Sequence, residues 1–277
     1  MNILQEIAER TKKRIAEQKK VRSLEQVMEG ASLACATDGV VNALSGVYGA
    51  AGGSKFPFEA ALRGDDISFI CEVKKASPSK GIIAEDFPYI QIAKDYEAAG
   101  AAAISVLTEP FWFKGNDNFL REISAAVDIP LLRKDFTVDE YMIYEAKFLG
   151  ANAVLLICSI LDAETLARYH RIAHEIGLSV LVETHDETEV EMAIAAGARI
   201  IGVNNRCLKT FEVDITLSKR LKKLVPPEII FVSESGLSQP QDIDKLRDIG
   251  ADAALIGESI MRSKDKKAAI RQLKGHM

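Results

Sequence analysis

The stretch Gly150-Ala151-Asn152-Ala153-Val154-Leu155-Leu156-Ile157 contains the pattern that decides the fold of this chain. A helical pattern ends at the glycine, and an apolar run typical of a buried strand begins at Ala153. Glycine suits the position after a helix because it adopts positive φ without a steric penalty. The same step recurs roughly every 50 residues, which is long enough for two β-α units rather than one. The other copies are Gly100-Ala101, Gly197-Ala198 and Gly250-Ala251.

Further strand candidates lie between these steps and complete a set of eight. Most are continuous apolar runs, which are typical of a parallel sheet that is covered on both faces. The predicted strands are residues 67–70, 103–107, 130–133, 153–157, 179–182, 200–203, 229–232 and 253–256. Amphipathic helical patterns separate them at residues 90–99, 118–127, 138–148, 163–176, 187–196, 216–224 and 240–249.

Eight parallel β-α units in about 210 residues predict an α/β protein of the TIM (β/α)8 barrel class. A doubly wound open sheet is the alternative fold. The dinucleotide-binding pattern G-x-G-x-x-G, which is typical of that alternative, does not follow the first predicted strand.

Residues 1–66 precede the predicted barrel, which spans residues 67–277. A charged amphipathic helical pattern covers Ile3 to Gln18 and continues from Ser23 to Met28. This segment has too few apolar residues for a core of its own. We therefore predict one domain overall, with an N-terminal helical extension packed on the barrel. Four glycines indicate a flexible joint within the extension: Gly46, Gly49, Gly52 and Gly53.

The composition suits a soluble globular protein. The chain has 277 residues, of which 48% are hydrophobic and 27% are charged, and its net charge is −5. This charge gives no reason to expect nucleic acid or an anionic membrane as a partner. No apolar run approaches the length of a membrane span, and the charged N-terminus does not resemble a signal peptide. None of the four cysteines forms a C-x-x-C pair, so we expect reduced thiols and a cytoplasmic protein.

Two histidines lie four residues apart, a spacing that could bind a metal ion. His170 and His174 fall on a predicted outer helix without an acidic partner motif. We therefore predict solvated surface side chains there, and no metal site.

Charged and polar side chains follow the predicted strands. The first strand leads into Glu72-Val73-Lys74-Lys75-Ala76-Ser77-Pro78-Ser79-Lys80-Gly81, where alternation places Glu72 and Lys74 on one face. The structural alternative is a strand that ends in a solvated lysine turn. A carboxylate and an ammonium on the inner face are costly for a fold and useful for chemistry.

Active sites of TIM barrels lie at the C-terminal ends of the strands, so we expect these end segments to converge. Glycines at the last two ends would let backbone N–H groups approach a phosphate, although ordinary turns are the alternative. The end segments are Glu72 and Lys74, Thr108-Glu109, Lys134-Asp135-Phe136, Cys158-Ser159, Glu183, Asn204-Asn205-Arg206, Glu234-Ser235-Gly236 and Gly257-Glu258-Ser259.

Taken in order, these motifs resemble those of the indole-3-glycerol-phosphate synthase family of tryptophan biosynthesis. The likeness runs from the N-terminal helix to Met261, which is nearly the whole chain. The matching segments are Glu72-Val73-Lys74 with Ser77-Pro78-Ser79-x-Gly81, Leu131-Leu132-Arg133-Lys134-Asp135-Phe136, Leu181-Val182-Glu183, Gly202-Val203-Asn204-Asn205-Arg206, Ser233-Glu234-Ser235-Gly236 and Leu255-Ile256-Gly257-Glu258-Ser259.

The resemblance implies a carboxy-lyase that acts on 1-(2-carboxyphenylamino)-1-deoxyribulose 5-phosphate. It implies indole ring closure with loss of carbon dioxide and water, by acid-base catalysis without a metal or an organic cofactor. Lys134 is the candidate general acid for ring closure, and Glu183 is the candidate base, assisted by Lys74 and Glu72. The residues leave open which lysine acts in which step.

The resemblance also implies how the substrate is held. Asn204 and Arg206 would orient its anthranilate part, and Phe113 and Phe136 would form apolar walls. Core packing is the alternative role for both phenylalanines. The remaining candidate contacts are Ser77, Ser79 and Ser235, with the phosphate at Gly236, Gly257 and the backbone of Glu258.

Two other classes of protein stay open at this point. In a class I aldolase, Lys134 or Lys74 would form a Schiff base with a carbonyl substrate. In a phosphate-binding barrel without catalysis, the inner lysines and glutamates would only destabilise the fold, which argues against that class. We expect a monomer that binds a small phosphorylated molecule, with other enzymes of the tryptophan pathway as candidate protein partners.

Overall fold

The structure is a computed structural model that describes residues 3–44, 54–207 and 210–275. The predicted joint at Gly46, Gly49, Gly52 and Gly53 lies outside the described residues.

Eight parallel strands close into a barrel, which confirms the predicted TIM barrel. The first barrel strand pairs with the second on one side and with the last on the other. The strands are β1 (Ser68–Val73), β2 (Ala76–Ser77), β3 (Gly81–Ile82), β4 (Ala103–Leu107), β5 (Leu131–Lys134), β6 (Ala153–Ile157), β7 (Ser179–Thr184), β8 (Ile200–Asn204), β9 (Ile230–Glu234) and β10 (Ala253–Ile256).

In the described part of the chain, three helices precede the first barrel strand, and the others follow the barrel strands and cover the outside of the barrel. The helices are α1 (Ile3–Val21), α2 (Leu24–Leu44), α3 (Pro57–Leu62), α4 (Tyr89–Ala98), α5 (Asp117–Ser124), α6 (Glu140–Phe148), α7 (Ala163–Glu175), α8 (Glu187–Ala195), α9 (Thr216–Leu221), α10 (Pro240–Asp248), α11 (Glu258–Arg262) and α12 (Lys266–Lys274). Short 3-10 helices cover Cys158–Ile160 and Lys222–Leu224.

The predicted glycine steps are confirmed by the backbone. Gly100, Gly150, Gly197 and Gly250 all have positive φ, between 68° and 90°. Each lies two residues after the last residue of a helix and turns the chain toward the next strand. These glycines therefore set the boundaries that the sequence predicts.

The structure corrects several predicted elements. Strand β1 continues to Val73, so Glu72 lies within it rather than after it. The loop that follows contains the antiparallel hairpin β2–β3, in which Ser77 pairs with Gly81. The sequence prediction did not include α11 and α12, which complete the chain after the last strand.

Side chains alternate between the barrel interior and the layer beneath the helices. Ile70, Leu132 and Leu181 belong to the interior cluster, whereas Phe69 and Val180 pack beneath the helices. Because alternate side chains face the same side of a strand, the residue two positions further along also faces the barrel interior and lies at or just beyond the strand end. The residues at these inward end positions are Glu72, Lys134, Glu183, Asn204, Glu234 and Gly257.

The N-terminal helices contribute to the barrel interior at both of its ends. Leu4 and Ile7 of α1 belong to the interior cluster and line the cavity at the C-terminal ends of the strands, which we call the barrel mouth. Phe58 and Leu62 of α3 belong to the same cluster. Helix α3 lies at the opposite end, because Glu59 accepts a hydrogen bond at 2.6 Å from Arg199, just before β8.

The prediction of a solvated side chain is wrong for His170, which lies on the buried face of α7. Burial lowers the pKa of His170 to about 4, so the ring is neutral at pH 7. Within the described ranges, no group of three or more metal-ligating side chains could hold a metal ion. None of the helices in those ranges has the length and apolar character needed to cross a membrane.

Candidate active site

A cavity of about 430 Å3 opens at the barrel mouth. Every residue to which the sequence analysis gave a catalytic, substrate-binding or phosphate-binding role lines this cavity. These residues are Glu72, Lys74, Ser77, Ser79, Phe113, Lys134, Phe136, Glu183, Asn204, Arg206, Ser235, Gly236, Gly257 and Glu258. Two predicted end segments without such a role, Thr108-Glu109 and Cys158-Ser159, do not line it. The structure thus brings the predicted residues together, while their individual roles stay predictions.

Lys134 lies between two carboxylates at the centre of the mouth. Its Nζ atom donates to Glu183 Oε2 at 2.7 Å and to Glu234 Oε2 at 2.9 Å. Burial alone would lower the pKa of Lys134, but the two negative charges outweigh burial and raise it above its ordinary value. The ammonium is therefore the stable form of this side chain.

The two carboxylates that share Lys134 differ in their affinity for protons. Burial favours the neutral form of Glu183, but the charges of Lys134 and His185 hold its pKa well below the ordinary value. Burial, with the repulsion from Glu183, raises the pKa of Glu234 to about 7 despite the attraction of Lys134. One carboxylate thus stays ionised while the other can hold a proton near neutral pH, a separation suited to acid-base chemistry.

The sequence analysis placed Glu234 at the mouth but gave it no role. Gly202 on β8 explains how Glu234 fits, because a Cβ atom at this inward position would collide with Glu234 Oε1. That oxygen is buried and has no hydrogen-bond partner among the described residues. The signal available in the sequence was the inward register of Glu234, which matches that of Lys134 and Glu183.

Glu72 and Lys74 form an ion pair on the other side of the cavity. Gly257, at the end of β10, faces this pair. A Cβ atom at Gly257 would collide with Glu72 Oε1 and would lie 3.1 Å from Lys74 Nζ. The glycine therefore leaves room for a second ion pair in the mouth.

The loops after β9 and β10 form the polar edge of the cavity. Ser235 and Gly236 adopt positive φ values of 68° and 80°, so the chain turns sharply as it leaves β9. Ser259 Oγ donates to the carbonyl of Leu237 at 3.0 Å and ties the two loops together. Arg206 Nη2 lies 3.9 Å from Glu258 Oε2. Arginine and tightly turned backbone favour an anion at this edge.

Apolar side chains form the opposite edge. The ring centroids of Phe113 and Phe136 are 6.1 Å apart, and Leu4 and Ile7 of α1 line the same region. The carboxylate of Glu109 accepts hydrogen bonds of 2.8–3.0 Å from three consecutive backbone N–H groups that end at Phe113. This buried carboxylate therefore fixes the loop that carries Phe113 into the cavity.

A buried ionic network lies behind the end of β5. Arg133 points away from the cavity and donates to Asp117 at 2.7 Å and to Glu145 at 2.8 Å. Asp135, one residue beyond Lys134, accepts a hydrogen bond of 2.8 Å from Arg14 of α1. The N-terminal helix is thus attached directly beside Lys134.

Residues 4–273 of this chain match the sequence model of a protein family that is described as indole-3-glycerol phosphate synthase. The chain belongs to the indole-3-glycerol phosphate synthase family. A synthase of this name from Ruminiclostridium cellulolyticum is 62% identical over 222 residues, which are 80% of this chain and 85% of that one. Another from Lachnoclostridium phytofermentans is 50% identical over 272 residues, which are 98% of each chain.

Indole-3-glycerol phosphate synthases close the indole ring in tryptophan biosynthesis. They convert 1-(2-carboxyphenylamino)-1-deoxyribulose 5-phosphate to indole-3-glycerol phosphate with loss of carbon dioxide and water. The chain is accordingly a carboxy-lyase that acts on a small phosphorylated substrate. The predicted family and activity are confirmed.

Two solved structures with a similar fold are distant from this chain in sequence. A 3-hexulose-6-phosphate synthase from Salmonella typhimurium has a TM-score of 0.62 at 17% identity and covers 75% of this chain and 96% of its own. A tryptophan synthase α-subunit from Pyrococcus furiosus has a TM-score of 0.59 at 15% identity, with coverages of 76% and 98%. These likenesses concern the barrel fold alone.

Proposed function

We propose that Lys134 is the general acid for ring closure and that Glu183 is the base in the later dehydration. The observation that carries this assignment is the position of Lys134, whose ammonium lies between Glu183 and Glu234 at the centre of the cavity. Glu72 and Lys74 form the second pair across the cavity and assist these steps.

Ring closure joins the aromatic carbon that bears the carboxylate to the ketone carbon of the sugar chain. The carbonyl electrons move to the ketone oxygen, which takes a proton from Lys134. An alkoxide is more basic than an amine, so this transfer is favourable even though the pKa of Lys134 is raised. Loss of carbon dioxide then returns the electrons of the broken bond to the ring and restores its aromaticity.

The dehydration step needs an acid and a base together. The former ketone oxygen leaves as water after it takes a second proton, for which the ammonium of Lys74 is the candidate donor. Glu183 takes the proton from the neighbouring carbon, and the electrons of that bond complete the indole double bond. Glu183 is ionised at neutral pH, as a base must be before it accepts a proton.

The substrate lies across the cavity with its two ends in different surroundings. Phe113 and Phe136 contact the aromatic ring, while Asn204 and Arg206 orient the anthranilate part. The sugar phosphate lies at the polar edge, where the contacts are Ser77, Ser79, Ser235, Gly236, Gly257 and the backbone of Glu258.

A Schiff-base role for Lys134 disagrees with its surroundings. A Schiff base forms from a neutral amine, and enzymes that use one lower the pKa of the lysine. Two carboxylates instead stabilise the ammonium of Lys134. Borohydride added during turnover is therefore expected to leave no reduced adduct on this lysine, as mass spectrometry of the digested protein would report.

The remaining proposals concern the protein as a whole. Side chains supply every proton transfer described above, so the reaction needs neither a metal nor an organic cofactor. We propose that residues 1–66 are an extension of a single domain, and the shared interior core of α1, α3 and the barrel supports this. We propose a cytoplasmic monomer, whose candidate partners are other enzymes of the tryptophan pathway.

Single-turnover release of carbon dioxide tests the assignment of the two steps. With substrate labelled in its carboxylate, Lys134→Ala is expected to release the label about 10² times more slowly than the wild type, because ring closure comes before decarboxylation. Glu183→Gln is expected to release a single equivalent per site without forming indole. Equal loss of label release in both variants would contradict the division of roles.

A further inference from the structure

His185 lies directly behind Glu183 and outside the cavity lining. It is the first residue after β7, and its side chain is 17% exposed. Its Nδ1 atom lies 3.0 Å from Glu189 Oε2 on α8. Its Nε2 atom is buried and forms no hydrogen bond with the described residues, but it lies at an ion-pair distance of 3.4 Å from Glu183 Oε1. The same Glu189 oxygen accepts the backbone N–H of His185 at 2.7 Å, so Glu189 contacts both the backbone and the ring of His185.

We propose that His185 is a positioning residue for the reaction: held by Glu189, its imidazolium orients the Glu183 carboxylate and keeps it ionised. This inference deepens the proposed function and rests on the role of Glu183 as a base. The chain has four histidines, and the sequence analysis gave none of them a role in the reaction.

Each ring nitrogen has a carboxylate oxygen nearby, Glu189 Oε2 at 3.0 Å from Nδ1 and Glu183 Oε1 at 3.4 Å from Nε2. A neutral imidazole carries only one N–H group and would turn a lone pair toward one of these carboxylates, whereas the imidazolium attracts both. Burial opposes the charge of His185, but Glu183 and Glu189 outweigh burial and raise its pKa to about 10. The imidazolium is therefore the form present at neutral pH.

The other charged and titratable groups around this pair leave that conclusion unchanged. Asp186 adds a negative charge at the start of α8, where it accepts the backbone N–H of Glu189 at 2.9 Å. Cys158 packs beneath α8, and burial raises the pKa of its thiol well above the ordinary value, so it stays neutral. Lys134 contacts the far oxygen of Glu183 and is the other cation of this group.

The arrangement gives each oxygen of Glu183 its own cation. Oε2 contacts Lys134 at 2.7 Å, whereas Oε1 accepts a hydrogen bond of 3.2 Å from Asn204 and faces His185. The hydrogen bond from Asn204 orients the Glu183 carboxylate but brings no charge to it. When Lys134 donates its proton, its attraction for Glu183 ends, and His185 is then the cation that remains beside the base. The carboxylate therefore stays ionised and in the same orientation for the dehydration step.

Steady-state kinetics of two substitutions at His185 test the proposal. His185→Gln keeps a neutral donor and His185→Ala removes it; kcat is expected to fall about tenfold or more, with a smaller effect for Gln and little change in KM. Loss of the cation weakens the ionised form of Glu183, so the acid limb of the kcat–pH profile is expected to move up by about one unit in both variants. Glu187→Gln is the matched control. It removes a half-exposed carboxylate from α8, the helix that carries Glu189, and leaves the contacts of His185 in place.

Nuclear magnetic resonance of labelled histidine tests the ion pair independently of activity. The ring of His185 is expected to remain doubly protonated at pH 8 in the free enzyme, and to lose its proton at lower pH in Glu183→Gln. A neutral His185 ring at pH 8 would overturn the proposal. So would a His185→Gln variant with unchanged kcat and an unchanged acid limb, or a His185→Ala variant that only lowers the thermal midpoint. If Glu183→Gln keeps normal activity while the ion pair is observed, the role of Glu183 as a base fails instead.

Discussion

At the residue scale, the proposed chemistry depends on carboxylates and lysines that are placed so that their proton affinities differ. Glu183 and Glu234 contact the same ammonium, yet burial and neighbouring charges move their pKa values in opposite directions. The difference arises from partners, because Glu183 has Asn204 and His185 on its second oxygen. The second oxygen of Glu234 instead faces the space left by Gly202.

Two substitutions of Lys134 test its role as the acid. Lys134→Ala is expected to lower kcat by about 10² or more, which is the usual scale for a general acid. Lys134→Arg keeps the positive charge but cannot release a proton near neutral pH, so kcat is expected to fall similarly while the thermal midpoint stays close to that of the wild type. If either variant folds and keeps a near-normal kcat, Lys134 is not the acid.

The raised pKa of Glu234 predicts a change of stability with pH. The folded state holds this proton up to pH of about 7, whereas an ordinary glutamate releases it near 4.5. The contribution of Glu234 to stability is therefore full below about pH 4.5 and is lost as the pH rises to about 7. Glu234→Gln removes this dependence. Relative to the wild type, the variant is expected to gain up to about 3 kcal/mol in free energy of unfolding across that window.

Urea unfolding at pH 5 and pH 8 measures this difference. Glu187→Gln is the control for the loss of one carboxylate, since Glu187 is half exposed on α8. A constant difference between Glu234→Gln and the wild type at the two pH values would show that Glu234 titrates normally.

At the element scale, the sequence predicted most of the barrel because its signals are local. Each glycine step ends a helix by its own positive φ, and each following strand is buried on both faces, so neither signal depends on distant residues. The β2–β3 hairpin was not predicted, because two paired residues on each side leave no periodicity to detect. The partners of His185 were also not predicted, since its contact with Glu189 depends on how α8 begins after β7.

The N-terminal helices give a prediction at this scale. Deletion of the residues before Gly46 removes the apolar side chains of α1 from the cavity edge and the Arg14–Asp135 ion pair beside Lys134. We therefore expect the truncated protein to have a clearly raised KM while its thermal midpoint falls only slightly below that of the full chain. An unchanged KM with a large drop in the thermal midpoint would show that the helices only stabilise the barrel.

Leu62→Ala is the matched control at the opposite end of the barrel. Leu62 is fully buried in α3 and lies far from the mouth, so truncation of its side chain is expected to cost about 2–5 kcal/mol of stability. The KM of this variant is expected to remain unchanged.

At the scale of the whole molecule, closure of the barrel creates the site. Lys134 and Glu234 are 100 residues apart in the chain and come into contact because β5 and β9 face each other across the barrel. The sequence predicted this convergence only through the general rule that strand ends meet at one mouth. Which carboxylate contacts which lysine follows from barrel geometry, so the pairings could not be predicted from strand positions alone.

The most direct test of the central claim is conversion of 1-(2-carboxyphenylamino)-1-deoxyribulose 5-phosphate by the purified protein in excess metal chelator, followed by indole fluorescence. Because acid-base side chains supply every step, we expect indole-3-glycerol phosphate to form at the same rate with and without the chelator. Absence of indole fluorescence, or activity that is lost in chelator and restored by a divalent metal, would contradict the account.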